Sequence, residues 1–266
     1  MKVAVIGGGT MGGTLIKSIL RARLVAKGDV IVSDVAAERR ESAHKRYGVA
    51  VTDDNAGAIK GADVVVLAIK PQDMDGVLAQ MSGHLTSQLI ISIIAGIKLE
   101  TICLRLKYKT VVRAMPNTPA HVGRGMTVWT SSTGLTDEKY DIARRILASL
   151  GEEMHLKDER YLDMATAVSG SGPAYVFLFI EALIDAGVHI GLPRDTAQKL
   201  VIETVAGSAE AMKKMARHPA ELRNMVTSPG GTTTEALLCM ESGGLRSLII
   251  NAVTAAYQKA RSLDAT

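Results

Sequence analysis

The sequence predicts an α/β protein: a doubly wound parallel sheet first, then an all-α C-terminal region. Three observations predict it. The apolar run Val3–Ile6 leads directly into Gly7, Gly9 and Gly12, at G-x-G-x-x-G spacing, and apolar residues then recur at helical intervals. Short apolar runs alternate with helical patterns as far as Leu150. After Asp158 the alternation stops, and the rest reads as helix after helix. The boundary is set accordingly, with residues 1–158 as the sheet domain and 159–266 as the helical one.

The first strand is Val3–Ile6 and the first helix Met11–Leu20, which carries Leu15, Ile16, Ile19 and Leu20 on one side. The glycines between them each meet a physical demand. Gly7 permits a tight turn, Gly9 lets a pyrophosphate approach the backbone, and Gly12 lets helix and strand pack closely. The helix start then turns free N–H groups and a positive dipole end toward the phosphates. A strand directly before and a helix directly after make this a Rossmann dinucleotide site. A kinase-type glycine loop is excluded, because no V-A-I-K or H-R-D element follows.

The second strand, Asp29–Asp34, ends on an acid 22 residues beyond Gly12. Such a carboxylate accepts hydrogen bonds from the adenosine ribose and repels a 2′-phosphate, so Asp34 leans toward NADH over NADPH. Arg39 and Arg40, close behind, soften that preference. Then come a charged helix (Ala37–Tyr47), a strand (Val49–Val51), a brief helix (Ala56–Lys60) and the nearly all-apolar strand Asp63–Ile69. An apolar run of that kind suits a parallel strand covered on both faces. Helix Met74–Met81, strand Leu89–Ile94, helix Ile97–Leu106, strand Thr110–Met115 and a seventh strand over Val122–Thr130 continue the pattern. A helix over Thr136–Leu150 closes it. Ligands of such sheets bind at the strands' carboxyl ends. Here those ends break into small, polar or proline residues: Gly7–Gly12, Asp34, Ala68–Pro71, Ala95-Gly96 and Met115–Thr118.

In the second half, Tyr161–Val168 is helical, and Ser169-Gly-Ser-Gly-Pro173 precedes a very apolar helix, Ala174–Ala186. Pro173 suits its first turn and Ser171 its N-cap. A helix apolar on nearly all sides needs cover on all sides, more than a domain of this size offers, which points to a subunit interface. Helices follow over Arg194–Met215, Thr233–Met240 and Leu245–Leu263. Thr232 and Glu235 have capping-box spacing, and the helix start they mark suits a carboxylate ligand.

Composition narrows the function. Aromatic residues are 3% of the chain, too few for a single-strand nucleic-acid stacking platform. The net charge of +4 is spread over scattered basic residues, as on solvated helix faces. Cys103 and Cys239 lie far apart and match no metal spacing, so no metal is expected, and a reducing compartment fits. The chain enters a strand at once, and its most apolar stretches are either short or carry Glu181 and Asp185. The expectation is a cytoplasmic enzyme without membrane or nucleic-acid partners. Of the six histidines only His121, just after the sixth strand, sits near the expected site.

Five stretches together resemble pyrroline-5-carboxylate reductase: G-G-G-T-M-G at the start, A-I-K-P (68–71), R-A-M-P-N-T-P-A (113–120), S-G-S-G-P-A-Y (169–175) and V-T-S-P-G-G-T-T (226–233). The resemblance runs in order from Lys2 to about Ala260. It implies reduction of the C=N bond of Δ1-pyrroline-5-carboxylate to L-proline, the last step of proline biosynthesis, with hydride from NADPH or NADH. It also implies dimers, or rings of dimers, built through the helical domain. Carried onto this sequence, Gly7, Gly9, Thr10, Met11 and Gly12 would hold the pyrophosphate. Ser33, Asp34 and Asn55 would lie by the adenosine ribose. Ala68, Ile69, Lys70, Pro71, Ala95 and Gly96 would line the cofactor, and Met115 and Asn117 would sit near the nicotinamide. The substrate would meet Met115, Asn117, Ser171, Gly230, Gly231, Thr232 and Thr233. Asp34 departs from the arginine or small polar residues of some NADPH-using members.

A cyclic imine accepts hydride best when its nitrogen is protonated. Its site then needs an anion holder for the carboxylate and a hydrogen-bond partner for the nitrogen, with no strong general acid. The Gly231–Thr233 backbone is assigned the first role and the Thr233 hydroxyl the second. Two alternatives remain. A hydroxy-acid dehydrogenase or deazaflavin-linked reductase of the same plan is one, but no lysine acid/base lies between Arg160 and Gln198. A non-enzymatic nucleotide-sensing scaffold is the other, distinguished by cofactor binding without imine turnover.

Overall fold

The computed structural model describes residues 1–263 and divides into two compact units. Met1–Ser171 form the first, joined by residues 256–263, and Gly172–Ala255 form the second. The compact units thus divide at 171/172, so the helix and turn over residues 160–170 pack with the first unit. Residues 264–266, assigned to the helical domain from sequence, lie outside the described residues.

The first unit is an eight-stranded sheet. Its strands are β1 (Val3–Ile6), β2 (Val30–Ser33), β3 (Ala50–Thr52), β4 (Val64–Leu67), β5 (Leu89–Ser92), β6 (Val111–Met115), β7 (Gly125–Ser131) and β8 (Gly151–His155). Their spatial order is β3-β2-β1-β4-β5-β6-β7-β8. The strand order reverses between β1 and β4, which makes the crevice at their carboxyl ends the expected ligand site. Every residue of β1, β4 and β5 is buried, which is why these strands read as unbroken apolar runs. The sheet is not wholly parallel, because β7 runs antiparallel to β6. The eighth strand, absent from the sequence reading, pairs parallel with β7.

Helices cover both faces: α1 (Thr10–Arg21), α2 (Ala37–Tyr47), α3 (Asn55–Ile59), α4 (Met74–Met81), α5 (Leu99–Leu106) and α6 (Asp137–Ala148). One core packs α1 and α6 onto Val3, Val5 and Val64; the other packs α3, α4 and α5 onto Ala4, Ile6 and Val65. Alternate residues of β1 and β4 thus serve opposite layers. After β8 come α7 (Arg160–Ala165) and a π-helical turn, Thr166–Gly170.

The second unit contains α8 (Gly172–His189), α9 (Arg194–Met215), α10 (Pro219–Met225), α11 (Thr232–Ser242) and most of α12 (Leu245–Ser262). Helix α10 was not anticipated. Pro219 opens it, and the His218 ring accepts the Ala220 N–H. Helix α8 exposes its apolar side chains widely; Phe177 is 61% and Leu178 66% exposed. By length and composition alone, the helical stretch Arg160–His189 would also suffice to span a bilayer.

Candidate active site

A cavity of about 850 Å³ opens at the β1/β4 switch point. Its floor is the glycine loop. Gly7 has φ +104°, a left-handed conformation that a side chain rarely adopts. A Cβ on Gly12 would collide with the Gly7 carbonyl, so Gly12 sits beneath the loop as the point of helix–strand contact, outside the cavity wall. Gly9 is the N-cap of α1, and a Cβ there would meet nothing within 4 Å. Thr10 and Met11 line the cavity with the first turn of α1. This is open, N–H-rich space of the kind a pyrophosphate fills.

Asp34 follows β2, and its side chain is only 3% exposed. Its Oδ2 accepts the Gly8 N–H at 2.8 Å and its Oδ1 the Ala36 N–H at 2.9 Å. The carboxylate therefore braces the glycine loop as well as lining the cavity, a role the sequence reading did not assign. The half-exposed Arg39 lines the cavity too, its Nη1 3.5 Å from Asp34 Oδ2. Arg40 is committed elsewhere, donating to the Asp34 and Val35 carbonyls. The Ser33 hydroxyl donates to Asn55 Oδ1, and Asn55 Nδ2 donates to Gln80 Oε1, both at 2.7 Å. Gln80, which the sequence reading missed, completes this wall; only its place one helix turn from Val77 on α4 hinted at it.

Ala68, Ile69, Lys70, Pro71 and Ala95 line the opposite side. Gly96, with φ +78°, instead lies against Leu263, so that side chain packs onto the loop after β5. Among the described residues, no group of three or more His, Cys, Asp or Glu side chains is placed to hold a metal ion.

At the carboxyl end of β6 the structure gathers Met115, Asn117 and the π turn. Asn117 Nδ2 donates to the Ser169 carbonyl and hydroxyl at 3.1 and 3.3 Å, and its Oδ1 accepts the Met126 N–H at 2.8 Å. Its amide is spent on cross-bracing, so its expected contact with cofactor or substrate would have to compete with these bonds. Ser169 is thus a further residue of this region. Ser171 does not cap a new helix, as expected from sequence. Its N–H donates to the Thr166 carbonyl, closing the π turn before α8 begins at Gly172. His121 contacts Thr14 through Nδ1 and ties the loop after β6 to α1.

In the second unit Gly230, at φ +70°, turns the chain into α11. The helix begins one residue earlier than expected, at Thr232, with Gly231 as N-cap and no side-chain cap. The Thr232/Glu235 capping box does not form, because glycine is itself a competent N-cap. The Thr234 hydroxyl donates to the Ser228 carbonyl at 2.6 Å. Among the described residues, no hydrogen bond within the chain claims the Thr233 hydroxyl or the Thr232 and Thr233 N–H groups, which leaves them for a ligand.

Residues 159–263 match the family model for pyrroline-5-carboxylate reductase dimerisation, and residues 2–96 that for NADP oxidoreductase, coenzyme F420-dependent. Pyrroline-5-carboxylate reductase from Synechocystis is 41% identical over 99% of this chain and 98% of its own length. The chain belongs to the pyrroline-5-carboxylate reductase family. The Escherichia coli relative is 35% identical over 99% of this chain and 98% of its own. A crystal structure of the Plasmodium falciparum pyrroline carboxylate reductase with NADP bound superposes with a TM-score of 0.91, at 32% identity over 99% and 98% of the two chains.

Proposed function

We infer that the protein reduces the C=N bond of 1-pyrroline-5-carboxylate to L-proline with a nicotinamide dinucleotide. The observation that carries this reading is the pairing, in one chain of this family, of a dinucleotide-shaped glycine cradle with an unclaimed, N–H-rich helix start at Thr232. The cradle's fit rests on Gly9, whose missing Cβ leaves open space above the first turn of α1. When bound, the dinucleotide supplies the hydride. Gly7, Gly9, Thr10 and Met11 would hold its pyrophosphate, and Ser33, Asp34 and Asn55 its adenosine ribose. The Gly231–Thr233 backbone binds the substrate carboxylate through the dipole end of α11. The Thr233 hydroxyl hydrogen-bonds the ring nitrogen and orients the imine face. The nitrogen arrives protonated, so no side chain need act as a strong acid.

Asp34 favours NADH by repelling a 2′-phosphate, and Arg39 offsets that repulsion in part. The exposed apolar face of α8 takes a second copy of the chain, in a dimer or a ring of dimers. Imine-dependent oxidation of NADH and of NADPH by the purified protein, with pyrroline-5-carboxylate, tests the reading. Turnover with NADH ahead is expected. Turnover with NADPH ahead would keep the reaction and overturn the role of Asp34, and no turnover by folded protein that binds the cofactor would overturn the reaction.

A further inference from the structure

We propose that Arg113, Glu159 and Asp163 form a positioning triad that sets the Ser169–Ser171 turn against the carboxyl end of β6. Arg113 lies in the middle of β6, and its side chain is 3% exposed. Its guanidinium reaches two carboxylates one helical turn apart: Nη1 is 2.8 Å from Glu159 Oε1 and Nη2 is 2.7 Å from Asp163 Oδ1. Glu159 Oε1 also accepts the Leu99 N–H at 2.7 Å, at the start of α5. One fork thus joins β6, α5 and α7.

Stability does not explain this arrangement. Arg113 is almost wholly buried, while Asp163 is 13% and Glu159 26% exposed, so one buried cation faces two partly buried carboxylates. Apolar side chains of similar volume would pack α7 to the sheet at no greater cost. A planar guanidinium gripping carboxylates at positions 159 and 163 supplies something else, namely one rotation and one axial register for α7.

That register is passed on. Helix α7 runs into the π turn, where the Thr166 hydroxyl donates to the Leu162 carbonyl at 2.7 Å and the Ser171 N–H to the Thr166 carbonyl at 2.8 Å. A π turn carries one residue more than an α turn and recurs at functional sites. Its far end is held by Asn117 through Ser169, and by Met115, whose Cε would lie 2.9 Å from a Cβ on Gly170. Arg113, Met115 and Asn117 are alternate residues of one extended segment. The segment therefore grips α7 at its base and the turn at its tip. A slip of one residue along α7 would move the turn by about 1.5 Å.

The inference rests on placing the hydride-transfer site near the end of β6, so its test includes a readout independent of the substrate. The triple variant Arg113→Met/Glu159→Gln/Asp163→Leu leaves no unpaired buried charge, and Arg113→Lys keeps the charge but loses the fork. For the triple variant we expect wild-type melting temperature and dinucleotide affinity, kcat lowered about 10²-fold by misplacement on the order of 1 Å, and a smaller loss for Arg113→Lys. Hydrogen exchange should accelerate at least about tenfold at the Ser171 amide, while amides of β1 and β4 keep their protection. Unchanged exchange at Ser171 would overturn the proposal even if the wild type failed to reduce the imine. So would full kcat in the triple variant, or a loss of dinucleotide affinity that matched the loss of kcat.

Discussion

Replacing Gly9 by alanine separates the cofactor site from the fold. Gly9 has φ −69° and ψ −166°, backbone angles that alanine adopts freely, and its added Cβ would meet nothing within 4 Å. The folded chain should lose less than about 1 kcal/mol, the cost of a poorer N-cap. The methyl group would occupy the space above the first turn of α1, where the pyrophosphate must lie. Crowding by one carbon in a close contact costs about 1–3 kcal/mol, which weakens binding roughly 5- to 150-fold. The loss should be equal for NADH and NADPH, since both share the pyrophosphate. Fluorescence titration of each cofactor measures it, with a thermal melt as the control. Gly12→Ala provides the contrast. Its Cβ would collide with the Gly7 carbonyl, a backbone atom that cannot swing aside, so α1 has to retreat by about 1 Å. That variant should lose both melting temperature and affinity. If Gly9→Ala bound both cofactors as tightly as the wild type, the pyrophosphate would not lie on this loop, and the cofactor assignment would fail.

Three further outcomes are expected. Thr233→Ala should lower kcat/KM for the imine roughly 10²–10³-fold, as for loss of one preorganised donor, with cofactor affinity unchanged; near-full activity would remove Thr233 from the mechanism. Arg39→Ala should raise the ratio of NADH to NADPH activity about 5- to 10-fold, because it removes a cation that lies beside Asp34 and lines the cavity; an unchanged ratio in steady-state kinetics would assign selectivity elsewhere. His155, packed against Trp129 and Tyr140, has its imidazole held below the ordinary 6.5, chiefly by burial, against an upward pull from Glu153. As the pH falls below about 6.5 the unfolded chain takes up this proton before the folded one, so stability drops with acidification until the folded value is passed. Melting curves from pH 7.5 to 5 should show that decline, and His155→Phe should flatten it.

What the sequence made legible, and what it did not, follows one physical rule. Strands β1, β4 and β5 are buried on both faces, so their apolar runs needed no tertiary information. The glycine spacing and Asp34 were legible because backbone sterics and charge act locally. Strand β8 was not, since Gly151–His155 lies at the sheet edge with exposed Glu152 and Met154 alternating with half-buried neighbours. The antiparallel course of β7 was available but unused. Only residues 116–124 separate it from β6, fewer than a parallel crossover needs.

The further partners of several other residues were not legible locally. Ser171 had a good local N-cap role, yet α7 runs on through a π turn and takes its N–H instead. Asn117 carries an amide suited to a ligand, yet it is held by Ser169, 52 residues away, and by the Met126 N–H. Asp34 reads as a ribose acceptor that repels a 2′-phosphate, and its bond from the Gly8 N–H, 26 residues upstream, is a further role that nothing local marks. Nothing local to Arg113 marks the carboxylates 46 and 50 residues away that it grips. For Asn117, Asp34 and Arg113 the second partner is distant in sequence and is brought close by the fold of the first unit. A polar side chain held from two sides has little freedom left, and a site for hydride transfer needs that loss of freedom.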